Sequence, residues 1–167
     1  FIFYFSLSLN GQNSNNQWQF SANTALNFSV NPPSVSSGSI QSMKASASIS
    51  DNTGSLLFYT DGINIYSSSH TVMANGSNLD GDGANPIQSC IIVKSPGSIN
   101  LYYVFTTAVP NSTVLVPGLK YSLVDMSLAG GSGSVTIKNI MTHTFVSNAI
   151  TYLRHCNGQD YWIIAHE

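Results

Sequence analysis

Three segments of the chain are close variants of one another: Ser55–Asp61, Leu101–Thr107 and Tyr161–Glu167. Each is a nearly unbroken apolar and aromatic run that ends in a polar residue. Each also follows a turn and, before that turn, another short strand-like run. A strand–turn–aromatic-strand unit that returns along the chain is typical of radial β-repeats, whose propeller blades recur about every 40–50 residues. These three aromatic segments therefore predict an array of similar small sheets.

The remaining pattern predicts an all-β fold with almost no helix, because apolar residues nowhere recur at helical spacing over three turns. We expect a fragment of a β-propeller with about two and a half four-stranded antiparallel blades. One complete blade is predicted over Gln88–Ile140, another over Met43–Met73 with a poorly marked last strand, and a half-blade from Ala149 onward. A further hairpin, Gln17–Val30, is expected to close the ring.

A β-sandwich is the alternative fold, since its short strands also arrive every 8–12 residues. Two observations favour the propeller. The runs Leu56–Tyr59 and Tyr102–Phe105 do not alternate apolar with polar residues, so both faces of their sheets should be covered. A sandwich also gives no reason for the same segment to return three times.

Composition restricts the class of protein. Only 7% of residues are charged, against roughly 25% in an average soluble domain. Disorder is not expected, because 43% of residues are hydrophobic and the net charge is only −2. The few Lys and Arg residues are spread singly, which leaves no basic patch for phosphates. We therefore expect no nucleic acid among the partners.

The first residues form an apolar run, Phe1–Asn10, followed by a polar stretch rich in Asn and Gln. The run is too short to span a bilayer as a helix, so no transmembrane segment is expected. We interpret residues 1–15 as the remnant of a secretory signal peptide with the mature N-terminus, and 16–167 as an incomplete propeller domain. The alternative is an ordinary hydrophobic strand.

Motifs for catalysis are missing from the sequence. It has no nucleophile elbow, phosphate-binding loop or dinucleotide fingerprint. A propeller-type glycosidase would need two facing carboxylates, for which only Asp61, Asp125 and Glu167 were candidates. Because Asp61 lies in a Thr-Asp-Gly turn, its side chain is expected to cap backbone amides instead. We therefore assign no catalytic residue.

One loop matches the first half of a calcium-binding loop. Asn78, Asp80 and Asp82 offer oxygen ligands at alternate positions, and Gly83 allows the sharp turn. The twelfth position is Ser89 rather than the bidentate Glu, which excludes a complete EF-hand. The dipeptide Asp-Gly is also common in turns that bind no metal. Calcium at Asn78, Asp80 and Asp82 is thus a candidate cofactor, and otherwise none is expected.

A ligand-binding surface is predicted where the aromatic segments end. Equivalent strands of a propeller end on the same face, so Asp61, Thr107, His166 and Glu167 should cluster at one rim. Loops at strand ends of a rigid scaffold are where repeat proteins place their contacts. Taken singly, each residue is better explained as a strand-end cap.

Several motifs together resemble the N-terminal region of large secreted Bacteroidetes surface proteins, which carry PKD modules and a gliding-motility-associated C-terminal sorting domain. The resemblance covers roughly residues 16–167, and the motifs that carry it are Gly54–Ile63, Met73–Ser77, Gln88–Ser98, Leu101–Thr106, Leu119–Thr136 and Arg154–Glu167. It implies a propeller-like domain, export through type IX secretion and display on the outer cell surface. It implies no catalytic residues. The chain departs from the pattern at Ile65–Tyr66, where a Trp is common, and at Asp80–Gly83, where a Ser/Thr-rich stretch is usual.

Two classes of function follow. The first is a non-catalytic display or adhesion module of a larger secreted protein, binding a glycan or a protein at the cell surface and packing against further blades of the same chain. The second is part of a propeller-type carbohydrate-active enzyme whose catalytic blades lie elsewhere.

Overall fold

The computed structural model describes residues 13–41, 45–81, 88–108, 117–144, 146–147 and 149–166. Within these ranges the protein consists of antiparallel β-strands and two single 3₁₀ turns, Asn13–Asn15 and Ala129–Gly131, which confirms the predicted all-β class. None of the helical turns in these ranges is long and apolar enough to cross a membrane. The strands are β1 (Gln17–Gln19), β2 (Thr24–Asn27), β3 (Ser34–Ser37), β4 (Ala47–Ser50), β5 (Leu56–Thr60), β6 (Ile65–Ser67), β7 (Cys90–Lys94), β8 (Leu101–Ala108), β9 (Gly118–Asp125), β10 (Ser134–His143), β11 (Ile150–Arg154) and β12 (Tyr161–Ala165).

The strands form four small sheets, each a meander in which chain neighbours pair antiparallel. Sheet 1 contains β1–β3, sheet 2 contains β4–β6, sheet 3 contains β7–β10 and sheet 4 contains β11 and β12. The aromatic segments form β5, β8 and β12, and each is the second strand of its sheet. The segments that are similar in sequence therefore occupy the same position in their respective sheets.

Sheet 3 is a complete four-stranded antiparallel meander, as predicted over Gln88–Ile140. In sheet 2 the weakly predicted last strand is reduced to one antiparallel bridge between Tyr66 and Val72. The chain then leaves sheet 2 and forms a parallel bridge from Ala74 to Ser134 of β10. Sheets 2 and 3 are thus joined at their outer edges as well as across their faces.

Apolar side chains from facing sheets form two core clusters. The cluster between sheets 2 and 3 includes Ile49, Phe58, Ile92, Tyr102 and Val124. Phe58 is fully buried and meets Tyr102 edge to face, with ring centroids 5.5 Å apart. Such pairs contribute about 0.5–1.5 kcal/mol beyond the burial of their area.

The second cluster lies between sheets 3 and 4 and consists of Ile91, Val93 and Ile150, with Tyr161 and Ile163 packed against it. Strand β7 therefore sends Ile92 toward sheet 2 and its neighbours Ile91 and Val93 toward sheet 4. This alternation follows from strand geometry, in which successive side chains point to opposite faces. Both faces of β7 are covered, whereas in β8 the run Tyr102–Phe105 alternates buried with half-buried side chains, so its second face is only partly covered.

The first strands of sheets 2, 3 and 4 are neighbours, since β7 contacts β4 on one side and β11 on the other. Their equivalent ends meet: the Ile150 amide donates to the Gln88 carbonyl at 3.0 Å, just ahead of β7. Sheet 1 differs, because the Ser48 and Ser46 hydroxyls donate to the carbonyls of Gln17 and Gln19, so β1 runs opposite to β4.

Candidate functional site

The array has two rims. The strand-end rim is where β5, β8 and β12 end, near Asp61, Thr107 and His166. The turn rim is opposite, where the turns 51–55, 95–100 and 155–160 connect the first strand of each sheet to the second. The sequence predicted a binding surface on the strand-end rim.

Asp61 is a structural cap at the strand-end rim. Its Oδ1 accepts hydrogen bonds from the amides of Ile63 at 2.9 Å and Asn64 at 2.6 Å. Its Oδ2 accepts from the Tyr66 hydroxyl at 3.3 Å, and only 7% of the residue is exposed. The carboxylate closes the Thr-Asp-Gly turn, as expected for an Asp in this position.

The other predicted rim residues are arranged differently. Thr107 is fully buried, and its amide donates to the Ser89 carbonyl at 2.8 Å. His166 is exposed, and its carbonyl accepts from the Ser147 amide at 2.7 Å. Glu167 lies outside the described residues. The structure therefore does not bring Asp61, Thr107 and His166 together as one solvent-facing group.

Tight packing explains why the strand-end rim is closed. A Cβ added to Gly81 would lie 2.2 Å from the Gly62 carbonyl oxygen, so two backbones touch here. Gly62 lies against Cys90, the first residue of β7, whose thiol is fully buried. Burial, with the nearby Asp61 charge, raises the pKa of the Cys90 thiol to about 12. A thiol in that state is a packing group rather than a nucleophile.

The candidate calcium loop begins in the same region. The Asp80 carboxylate forms an ion pair with Lys120, 2.7 Å from Oδ2 to Nζ, and the Lys120 side chain is 5% exposed. The Asn78 carbonyl accepts from the Asn139 side-chain amide at 3.0 Å, and Asp82 lies outside the described residues. A cation bound by Asp80 would have to share that carboxylate with Lys120. Calcium binding here stays a prediction.

Instead the segment 74–81 ties sheet 2 to the outer strands of sheet 3. The Asn75 side-chain amide donates to the Val135 carbonyl at 2.9 Å, and Lys138 Nζ donates to the Ser77 carbonyl at 2.9 Å. The Asp80 amide donates to the Asn139 side-chain oxygen at 3.1 Å. These hydrogen bonds provide partners for the polar groups of a segment that forms no regular strand.

The turn rim contains an open groove of about 960 Å³ that spans sheets 2, 3 and 4. Its polar lining comes from strand ends and turns, and its apolar floor from core strands. The polar and aromatic lining includes Ser50, Asp51, Lys94, Tyr102, Tyr152, Arg154 and Tyr161. Ligand sites are typically concave, mostly apolar and about 300–1,000 Å³ in volume, with a few convergent polar groups.

Asp51 supplies the groove's carboxylate. Its Oδ1 accepts from the Thr53 hydroxyl at 2.6 Å, the Thr53 amide at 2.8 Å and the Ser55 amide at 3.0 Å. These hydrogen bonds, that from the Thr53 side chain first, lower the pKa of Asp51. The group is therefore ionised near neutral pH, and Oδ2 retains capacity to accept bonds from a ligand.

Three tyrosines supply neutral hydroxyls and ring faces. Tyr152 and Tyr161 pack edge to face across the β11–β12 pair, 5.8 Å between centroids. Burial raises the pKa of Tyr102, with smaller effects from the Asp51 charge and Tyr161, and burial also raises the pKa of Tyr152. Both hydroxyls therefore remain protonated donors.

Two cations complete the lining. Arg154 Nε donates to the Gly158 carbonyl at 3.0 Å and a second guanidinium nitrogen donates to the same oxygen, which fixes the side chain on its own turn. Since a guanidinium has five N–H donors, several remain for a ligand. Within the described parts of the chain, neither Lys94 nor Arg154 has a carboxylate partner.

Ser50 is an unusual member of the lining. The residue is 3% exposed, and its hydroxyl has no hydrogen-bond partner among the described residues. A buried hydroxyl without a partner costs roughly 1–3 kcal/mol. Because the oxygen itself is buried, it lies beneath the surface of the groove.

A second cavity of about 480 Å³ lies between β1 and β4, lined by Trp18, Gln19, Phe20 and Ser46 among others. It also contains an unpartnered buried atom, Gln19 Oε1. It lacks charged side chains among its lining residues. The groove at the turn rim is therefore the stronger candidate.

Sequence reasoning missed the groove because it considered where the aromatic segments end, whereas the groove lies where they begin, at Tyr102 and Tyr161, beside Lys94 and Arg154 at the ends of the preceding strands. The available signal is the turn that precedes each aromatic segment, because its residues lie beside the groove.

No protein-family model, curated protein or solved structure was found to match this chain.

Proposed function

We propose that this chain is a non-catalytic ligand-binding module of a secreted or cell-surface protein, built as part of a propeller-like array. The observation that carries the proposal is the groove at the turn rim. It combines a preformed concave shape with ring faces, hydroxyls and both signs of charge, and its two cations form no ion pair within the described residues.

The propeller arrangement is supported by the order of packing. Sheets 2, 3 and 4 stack in chain order, and their first strands β4, β7 and β11 are neighbours with equivalent ends together. Successive inner strands of a propeller lie side by side around the axis in this way. An experimental structure in which sheets 2 and 4 face each other directly would contradict this arrangement.

A binding role is favoured over glycoside hydrolysis by the groove's charges. Its described lining contains one carboxylate, Asp51, which is engaged in a turn. Glycosidases ordinarily use a carboxylate pair on either side of the scissile bond. One carboxylate with two cations suits recognition of a polar ligand.

The experiment is a binding comparison on a glycan array with the purified chain and two variants. Tyr152→Ala removes a ring from the groove and should lower binding at least tenfold. Trp162→Ala is the matched control, because Trp162 is an exposed aromatic residue of the adjacent strand, 59% exposed, that does not line the groove. Its binding should be unchanged.

Equal loss in both variants, or loss only in Trp162→Ala, would place the binding surface elsewhere. The proposed surface location is tested separately by antibody labelling of intact cells of the source organism. Labelling only after the cells are permeabilised would contradict it.

A further inference from the structure

The charged lining of the groove narrows the class of ligand. Lys94 and Arg154 end the first strands of sheets 3 and 4, so they approach the groove from adjacent sheets. Lys94 is half-buried and has no carboxylate partner in the described chain. Cations left unpaired in a partly enclosed groove favour an anion, because charge-assisted hydrogen bonds are roughly twice as strong as neutral ones.

The other polar groups of the lining favour a ligand that carries hydroxyl groups as well as a negative charge. Asp51 would repel a bare anion but accepts hydrogen bonds from hydroxyl groups. The Tyr102 hydroxyl can donate or accept a hydrogen bond. A ligand that satisfies all of these groups bears a negative charge at one side and several hydroxyls at the other.

The ring faces select a saccharide among such ligands. An aromatic ring carries a negative face and a positive edge. The C–H groups on one side of a pyranose ring are slightly positive, so they pack well on the face of an exposed tyrosine. Tyr152 is 37% exposed in the groove and is oriented by its contact with Tyr161.

We infer that the groove binds a carboxylate-bearing saccharide of the uronic acid class. Its carboxylate lies against Lys94 and Arg154, its hydroxyls against Asp51, and a sugar ring against Tyr152. This inference rests on the proposed function, because it assumes that the groove is the ligand site.

The test uses calorimetry with a galacturonic acid trimer and its fully methyl-esterified form, which differ in charge but little in shape. The protein should bind the acid form at least tenfold more tightly, and the preference should shrink at high salt because exposed charges are screened. Lys94→Gln and Arg154→Gln should each weaken binding of the acid about fivefold to tenfold and leave binding of the ester unchanged.

Lys138→Gln is the matched control, since it removes one positive charge from β10, outside the groove. It should change neither affinity. Tyr152→Ala should weaken both ligands, and thermal unfolding checks that every variant folds.

The outcomes separate the two proposals. If both forms bind equally and Tyr152→Ala weakens both, the groove is the site but the uronic acid class is wrong. If a hexaglutamate peptide binds more tightly than the acid saccharide through Lys94 and Arg154, the ligand is an acidic peptide and the saccharide inference fails. If no ligand responds to Tyr152→Ala, the groove is not the site and the proposed function also fails.

Discussion

The two rims of the array use their polar side chains in opposite ways. At the strand-end rim, Asp61 and Thr107 are buried and bonded to backbone. At the turn rim, Asp51, Lys94 and Arg154 line an open groove. The ends of the aromatic segments therefore close the fold, whereas their starts and the turns before them line the cavity.

Chain connectivity explains this difference. At the strand-end rim the chain must cross from one sheet to the next, and it does so with Gly62 and Gly81 in backbone contact beside Cys90. At the turn rim each sheet only reverses direction in a short turn. Among the residues that the structure describes, no crossing segment fills the space there, so a groove remains.

The largest expected effect comes from Gly81→Ala at the strand-end rim. The new Cβ would meet the Gly62 carbonyl at 2.2 Å, and neither backbone can move without opening the contact. We expect a loss of about 3 kcal/mol in the free energy of unfolding, the upper part of the range for overpacking. Urea denaturation measures it.

Gly97→Ala is the matched control at the turn rim. Gly97 has φ of +74° and nothing within 4 Å of an added Cβ, so only backbone strain of about 1–2 kcal/mol is expected. An equal or larger loss for Gly97→Ala would contradict the contrast between a closed and an open rim.

A smaller effect is expected when the caps of the two rims are compared. Asp61→Ala leaves two amides and the Tyr66 hydroxyl without their acceptor inside a buried turn, which should cost about 2 kcal/mol. Asp51→Ala removes bonds in an exposed turn where water replaces them, for about 1 kcal/mol or less. Comparable losses measured by urea denaturation would show that the strand-end rim is not the better-packed one.

The next largest effect on stability is expected from the ion pair between Asp80 and Lys120, which joins the segment after sheet 2 to sheet 3. Asp80→Ala leaves the Lys120 ammonium without its partner, although water still reaches that side because the Asp80 side chain is 46% exposed. We expect a loss of about 1 kcal/mol, well below the cost of breaking a fully buried pair. The double variant Asp80→Ala/Lys120→Met should recover part of it in a double-mutant cycle.

The same variant tests the candidate calcium site. If calcium binds Asn78, Asp80 and Asp82, millimolar Ca²⁺ should raise the melting temperature of the parent protein but not of Asp80→Ala. An equal response in both proteins would exclude Asp80 as a ligand.

The smallest effect concerns pH. Hydrogen bonds from Thr53 lower the pKa of Asp51 in the folded protein below its ordinary value of 3.8. The resulting stabilisation is complete above pH 3.8 and is lost as the pH falls through the depressed pKa of the folded state. As the pH falls from 7 to 2.5, the melting temperature of Asp51→Asn should therefore decrease less than that of the parent protein. Superimposable pH profiles would mean that this turn contributes nothing measurable.

Local pattern predicted most of the strands but missed β3. The run Ser34–Ser37 is polar and fully exposed, so it shows neither alternation nor an apolar run. It is a strand because its backbone pairs with β2, from Thr24 opposite Ser37 to Asn27 opposite Ser34. Pairing of this kind depends on a partner strand, which no local pattern in the run itself reveals.

The sequence by itself determined the all-β class, the complete meander of sheet 3 and the equivalence of β5, β8 and β12. These follow from hydrophobic period and turn residues, which act over a few neighbours in the chain. Tertiary structure decided which rim is open, because Asp61 is buried by Tyr66 and Asn64 while Lys94 and Arg154 from different sheets converge on one groove. Burial and convergence depend on how the sheets stack, so the candidate site became visible only in three dimensions.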